Sequence, residues 1–179
     1  MSVYILFSAV IDTPLGKMQA AANDDELMGL WFVGQKYFPT DAGSWFNKPD
    51  NPVFASLKDW LKAYFSREQP KVKIPLAPHG TEFQQTVWSL LLEIPYGKTT
   101  TYGAIAARLS SAGRKASAQA VGGAVGHNPI SLIIPCHRVL GADGSLTGYA
   151  GGLERKRALL ELEGAISGFL PGVLHQPNL

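Results

Sequence analysis

Asn128-Pro129-Ile130-Ser131-Leu132-Ile133-Ile134-Pro135-Cys136-His137-Arg138-Val139 carries the only cysteine of the chain and sets it beside a histidine. The apolar run Ile130 to Ile134 is short, rich in β-branched residues and bounded by prolines, so it reads as a buried strand with Cys136 at its end. Pro135 fixes its own φ and biases Ile134 to an extended conformation, which stiffens the approach to the thiol. Neighbours on an extended chain point to opposite faces, so Cys136 and His137 need a turn or a bridging water to act together. Acting together, the imidazole takes the thiol proton and leaves the thiolate, the nucleophilic form. Taken alone, such a pair is more often an inert buried cysteine beside a structural histidine; the surrounding residues alter that balance.

Downstream, Arg138 to Leu140 and Ser145 to Thr147 flank Gly141-Ala142-Asp143-Gly144, a hairpin signal that places a small wing after the cysteine. Gly148-Tyr149-Ala150-Gly151-Gly152 reads as a flexible loop able to approach a ligand. Leu153 to Glu163 reads as a helix stopped by Gly164. At that helix end the macrodipole disfavours the charge of Glu163, which fits either an exposed side chain or a partner such as His137. The second arrangement would complete a Cys–His–Glu relay.

Upstream, Thr101 caps a helix from Tyr102 to Leu109, and a loop from Ser110 to Arg114 leads to another helix, roughly Ala116 to Val125. This is the outline of a helix-turn-helix or of a plain helical hairpin. The second helix has almost no bulk from Ala118 through Gln119 and Gly122 to Ala124. Its backbone can therefore approach a nucleic-acid groove closely, or pack tightly inside the protein. Before it, Thr81 and Gln84 form a capping-box pattern opening a helix that buries Phe83, Val87, Leu90, Leu91 and Ile94.

The first part of the chain has a different texture. Val3 to Ile11, Lys17 to Ala22 and Leu27 to Val33 read as strands of an antiparallel meander joined by short turns. Residues 34–50 read as a polar loop. Asn51-Pro52 opens a helix with Val53, Leu57, Trp60, Leu61, Tyr64 and Phe65 on one face. Lys71 to Leu76 reads as one further strand, and no catalytic grouping occurs in this part.

The 179 residues, 46% hydrophobic and 17% charged, describe a globular chain with a substantial core, and no apolar run reaches membrane-spanning length. Met1 to Ile11 lacks a basic leader and does not read as a signal peptide. One cysteine excludes an intrachain disulfide and favours a reducing compartment, the cytoplasm. A cysteine-rich zinc site is unavailable within the chain. Net charge is +2, unevenly spread: residues 94–160 hold eight Lys/Arg against two Asp/Glu, whereas residues 1–93 hold eight against ten. A basic excess around the cysteine suits a surface that meets phosphates, although many basic faces are simply solvated.

With these residues assembled, the chain resembles the O6-alkylguanine-DNA alkyltransferases. The likeness is dense from about Gly80 to Gly164: Pro135-Cys136-His137-Arg138-Val139, Asn128 eight residues before the cysteine, Gly148-Tyr149-Ala150-Gly151-Gly152, and Glu163-Gly164. It implies an α+β protein with a ribonuclease-H-like domain over residues 1–76 and a winged helix-turn-helix alkyl-transfer domain over 77–166. The stretch 167–179, punctuated by Gly168, Pro171, Gly172 and Pro177, reads from its composition as a loosely packed tail, with His175 a surface residue. The resemblance further implies a monomer that flips alkylated guanine out of double-stranded DNA and takes the alkyl group from O6, with O4-alkylthymine as a further substrate. No cofactor, metal or membrane is implied.

On the same resemblance Cys136 is the acceptor, His137 the base acting through water, Glu163 its orienter and Asn128 the brace of the turn. Tyr102 donates to the leaving guanine, while Val139, Tyr149 and Ala150 line the pocket. Ala118 and Gly122 lie on the helix that enters the minor groove. Gln119 stands where many members have an arginine that fills the gap left by the flipped base; Gln119 can hydrogen-bond the orphaned base but lacks that charged fork, so the expectation is either weaker flipping or help from Arg114 or Lys115. Ala150 stands where some relatives have serine. Two other readings compete: a non-catalytic binder of alkylated DNA, against which the cysteine argues, and a cysteine hydrolase, which would turn over repeatedly.

Overall fold

The computed structural model describes residues 6–167. These form two compact units, one ending at His79 and the other beginning at Gly80. Val3 to Ile5 and the expected tail beyond Ser167, His175 included, lie outside the described residues.

In the first unit, β1 (Phe7–Thr13), β2 (Gly16–Ala22) and β3 (Leu27–Phe32) make the expected antiparallel meander. The Thr13 hydroxyl donates to the Gly16 carbonyl at 2.6 Å and closes the first turn. The Asn23 side chain accepts from the amides of Asp25 and Glu26 at 2.8 and 2.7 Å and shapes the second. Residues 34–50 depart from the expected polar loop. They add a two-residue strand, β4 (Phe46–Asn47), parallel to β1, giving the order β3-β2-β1-β4. From the same loop Phe38 and Trp45 pack on Trp31, with ring centroids 6.5 and 5.7 Å away. All six residues of β3 are buried, so the loop is a covering layer as well as a connection.

Helix α1 (Pro52–Phe65) starts where the cap residues place it: the Asn51 side chain accepts from the Val53 amide at 2.8 Å, with proline at the first helical position. Val53, Phe54, Leu57, Trp60, Leu61 and Tyr64 are its buried residues, and Phe65 is only half-buried. Lys71 to Leu76 is not a strand. Leu76 makes a lone parallel bridge to Leu27, because Pro75 has no amide with which to extend a ladder.

The second unit begins with α2 (Glu82–Leu92), capped by the reciprocal Thr81–Gln84 box. The Trp88 indole donates to the Ala124 carbonyl at 2.8 Å and joins α2 to α4 (Ala118–Gly126). Helix α3 (Tyr102–Ser111) has Thr101 as its cap, and α4 has Ser117. The wing differs from its expected form. The Gly141 amide bonds to the Ser145 carbonyl at 2.9 Å, closing a turn, but no return strand follows. Instead β6 (Val139–Leu140) pairs in parallel with β5 (Thr100–Thr101), tying the segment after the cysteine to the start of α3. Helix α5 (Leu153–Leu162) ends at Glu163, and Gly164 follows in the left-handed region at φ 70°.

Candidate functional site

The run before the cysteine is buried as expected but is a turn, not a strand. Residues 128–140 are all buried, Leu132 adopts φ 70°, and the Ile134 amide bonds back to the Ile130 carbonyl at 3.0 Å. The Asn128 side chain accounts for the difference. Its Oδ1 accepts from the Ile130 amide at 2.9 Å, and its Nδ2 donates to the Ile134 carbonyl at 2.8 Å. One amide thus satisfies polar backbone groups that a strand would have paired in a ladder. That saturation offsets the strain of a branched residue in the left-handed region, of order 1–3 kcal/mol. Nδ2 also lies 3.1 Å from Cys136 Sγ and donates to it.

Cys136, His137 and Arg138 form a single 3-10 turn. The turn removes the strand alternation that would have sent the thiol and the imidazole to opposite faces. Cys136 is 5% exposed and His137 wholly buried. Burial pushes the Cys136 thiol up, against the hydrogen bond from Asn128 and the charge of Lys156, so the sulfur holds its proton until a base takes it. Burial pushes His137 down, against the opposing pull of Glu163, which favours a neutral imidazole able to act as that base.

Glu163 is brought to the site by the end of α5. Its Oε1 is 2.7 Å from His137 Nε2. If the carboxylate accepts there, Nε2 carries the proton and Nδ1 is the basic nitrogen. Burial alone would push the Glu163 carboxyl up, but the hydrogen bond from His137 and the hydrogen bonds and charge of Arg138 overcome it and hold the group at about 2. Gly97, at φ 73°, lies so close that an added Cβ would sit 2.9 Å from the Glu163 carbonyl oxygen.

Tyr102 is half-buried at the start of α3, and its hydroxyl donates to the Thr147 carbonyl at 2.8 Å. Burial, then the neighbouring Cys136, raise it above an ordinary tyrosine, so it remains a proton donor. An added Cβ on Gly148, itself at φ 70°, would come within 2.8 Å of that hydroxyl, which is why the loop is glycine there. Tyr149 is buried and Ala150 half-buried. Among the described residues the Tyr149 hydroxyl has no hydrogen-bond partner.

Two residues of this cluster were given no role in the sequence. Arg138 lies on the cysteine turn and binds Glu163. Lys156 is fully buried and donates to the carbonyls of Val139 and Thr147, the latter at 2.6 Å. Burial lowers its ammonium to about 8, with Cys136 opposing. A signal for it existed: Lys156, Leu159, Leu160 and Glu163 share the inward stripe of α5, and lysine in an apolar stripe needs a polar partner.

The exposed end of α4 presents Ala118, Gln119 and Ala120. Gly122 is half-buried, and a Cβ there would meet the Tyr102 ring at 3.7 Å, so its smallness also lets α4 approach α3. Arg114 and Lys115 are exposed, and Arg114 is held by an ion pair to Glu82. Among the described residues no group of three His, Cys, Asp or Glu side chains is placed to hold a metal, and no helix is long and apolar enough to cross a membrane.

Comparison with known proteins identifies relatives along nearly the whole chain. The family model for the 6-O-methylguanine DNA methyltransferase DNA binding domain matches residues 82–165, and that for its ribonuclease-like domain matches residues 6–78. A methylated-DNA–protein-cysteine methyltransferase of Mycobacterium tuberculosis is 48% identical over 153 residues, covering 86% of this chain and 89% of the relative. One from Haemophilus influenzae is 42% identical over 159 residues, covering 88% and 86%. A crystal structure of the Mycobacterium tuberculosis protein in complex with DNA matches with a TM-score of 0.79 at 45% identity, covering 89% of this chain and 93% of that one.

Proposed function

The chain belongs to the 6-O-methylguanine DNA methyltransferase family, and we propose that it repairs O6-alkylguanine in double-stranded DNA by moving the alkyl group onto Cys136, once per molecule. The observation that carries the assignment of the acceptor is the buried thiol itself. It accepts from Asn128 and shares one turn with an imidazole that is paired to Glu163.

The target carbon is saturated and bonded to an oxygen of an aromatic base, so transfer is a displacement and needs a strong nucleophile. His137, through a water, takes the thiol proton. The sulfur attacks the alkyl carbon, the C–S bond forms as the C–O6 bond breaks, and the electron pair leaves with guanine. Guanine regains a proton as the thiol loses one, so the exchange balances. Tyr102 is the donor to the departing base, and the Val139 carbonyl, Tyr149 and Ala150 line its pocket. A thioether has no simple route back to a thiol, and the chain has no second cysteine to displace the alkyl group.

A buried thiol cannot reach a base inside the duplex, so the lesion must leave the stack, at a cost of a few kcal/mol. In this reading α4 enters the minor groove through Ala118 and Gly122, Gln119 occupies the gap, and Arg114 or Lys115 supplies the cationic help that Gln119 lacks. The protein acts as a monomer in the cytoplasm. Peptide mapping after reaction with an O6-methylguanine duplex tests the assignment. The methyl group is expected on the peptide containing Cys136, with Cys136→Ser binding the lesion but acquiring none. Methylation at any other residue, or none with lesion binding intact, would overturn it.

A further inference from the structure

Glu163 has more partners than an orienter of histidine requires. Its Oε1 receives His137 Nε2 at 2.7 Å and Arg138 Nη2 at 3.0 Å, while Oε2 receives Arg138 Nε at 2.8 Å and the Gly97 amide at 3.3 Å. A carboxylate has about four acceptor directions, and here four donor contacts occupy them. The Arg138 fork lies side-on to the carboxylate, and its remaining Nη1 donates to the Ile94 carbonyl at 2.6 Å. The Tyr96 ring lies 5.7 Å from the guanidinium. The Arg138 side chain is 11% exposed and that of Glu163 wholly buried.

We propose that Arg138 is a positioning residue that neutralises Glu163, so that the carboxylate orients His137 without drawing a second proton onto the ring. A lone buried carboxylate beside histidine favours the imidazolium, which cannot accept the thiol proton. A permanent guanidinium on the same carboxylate changes the balance, because protonating His137 would then place two cations on one anion in a dry site. Lys156, from the middle of α5, adds a third positive group facing the ring. Tyr149, from the loop before α5, faces Glu163, Cys136 and Arg155, and Cys136 adjoins His137 on the turn. The pair of interactions therefore divides the work: Glu163 fixes the tautomer, and Arg138 keeps the ring neutral.

This inference rests on the proposed role of His137 as base, but its first readout does not require alkyl transfer. Imidazole nitrogen NMR on the intact, DNA-free protein is expected to show His137 neutral, with its proton on Nε2, throughout the range in which ordinary histidine titrates, about pH 5–8. In Arg138→Gln the His137 midpoint is expected to rise into that range. The acidic limb of single-turnover transfer should move with it by about one pH unit, a tenfold loss at the acid end that shrinks as pH rises. Arg138→Lys retains the charge and should restore the native limb even where it lowers stability.

A native His137 that titrates like an exposed histidine overturns the inference without any variant, and so covers the case in which Arg138→Gln does not fold. A folded Arg138→Gln whose rate falls equally at every pH, with the His137 midpoint unmoved, assigns Arg138 to structure alone. Failure of alkyl transfer in the native protein, with the NMR result as expected, overturns the proposed function and leaves the charge arrangement standing.

Discussion

The two units each bury an asparagine that makes the same local bond and serves a different end. Asn51 is wholly buried in the first unit; its Oδ1 accepts from the amide two residues on, at 2.8 Å, and its Nδ2 donates to the Asn23 carbonyl at 3.1 Å. Asn128, 3% exposed in the second, repeats the two-residue bond at 2.9 Å but directs its Nδ2 to the Ile134 carbonyl and the Cys136 sulfur. One starts a helix, and the other holds a turn around a nucleophile. The contrast extends to charge. The described buried polar residues of the first unit are the neutral Ser8, Gln35 and Asn51, whereas the second buries His137, Arg138, Lys156 and Glu163. A fold does not need such a cluster for stability, since buried ion pairs roughly break even against apolar packing. Its retention around a thiol makes chemical sense.

Substitutions can break this comparison, and the largest effect is expected at the sulfur. Cys136→Ser should abolish alkyl transfer while leaving thermal stability close to native, as measured by transfer assay and calorimetry in parallel. Glu163→Gln comes next. The folded carboxyl titrates at about 2, below its ordinary range near 4.5, so the native protein binds fewer protons there than the unfolded chain. Its contribution, on the order of 3 kcal/mol, is therefore present above about pH 4.5 and lost as pH falls toward 2. The variant should be less stable at neutral pH and should lose this part of the acid dependence in denaturant titrations.

Asn128→Ala and Asn51→Ala sharpen the contrast directly. The first leaves the Ile130 amide and the Ile134 carbonyl without their side-chain partner and should cost about 2–3 kcal/mol, with slowed transfer per folded molecule. The second removes a helix cap and the side-chain partner of the Asn23 carbonyl, should cost about 1–3 kcal/mol, and should leave transfer per folded molecule unchanged. Equal catalytic losses in the two variants would erase the distinction. The smallest effect is expected for Arg114→Ala: its exposed pair with Glu82 should contribute less than about 1 kcal/mol to stability, and the variant should be read by the salt dependence of DNA binding.

The two units were also unequally legible. The short turns between the strands, the Asn51-Pro52 start and the Thr81–Gln84 box are local signals, and the corresponding elements occur where those signals lie. The aromatic cover supplied by Phe38 and Trp45 was hidden in a stretch whose turn residues dominate its composition. The run Ile130 to Ile134 misled for a physical reason: burial and β-branching are shared by strands and by a turn whose polar groups are satisfied by one side chain. Asn128 was visible as a brace only through the family likeness. Glu163 announced itself as a misplaced charge at a helix end, whereas the double engagement of that carboxylate by Arg138 and His137 depends on a packing of α5 against the cysteine turn that no local pattern encodes.

Whether the Cys136 thiol is used once per molecule is tested by counting its product. With an excess of duplex containing O6-methylguanine, one repaired guanine per active protein molecule is expected, and then no further reaction. Repair continuing past one equivalent would contradict the stoichiometric mechanism, and the absence of any repair by folded, lesion-binding protein would contradict the transfer itself.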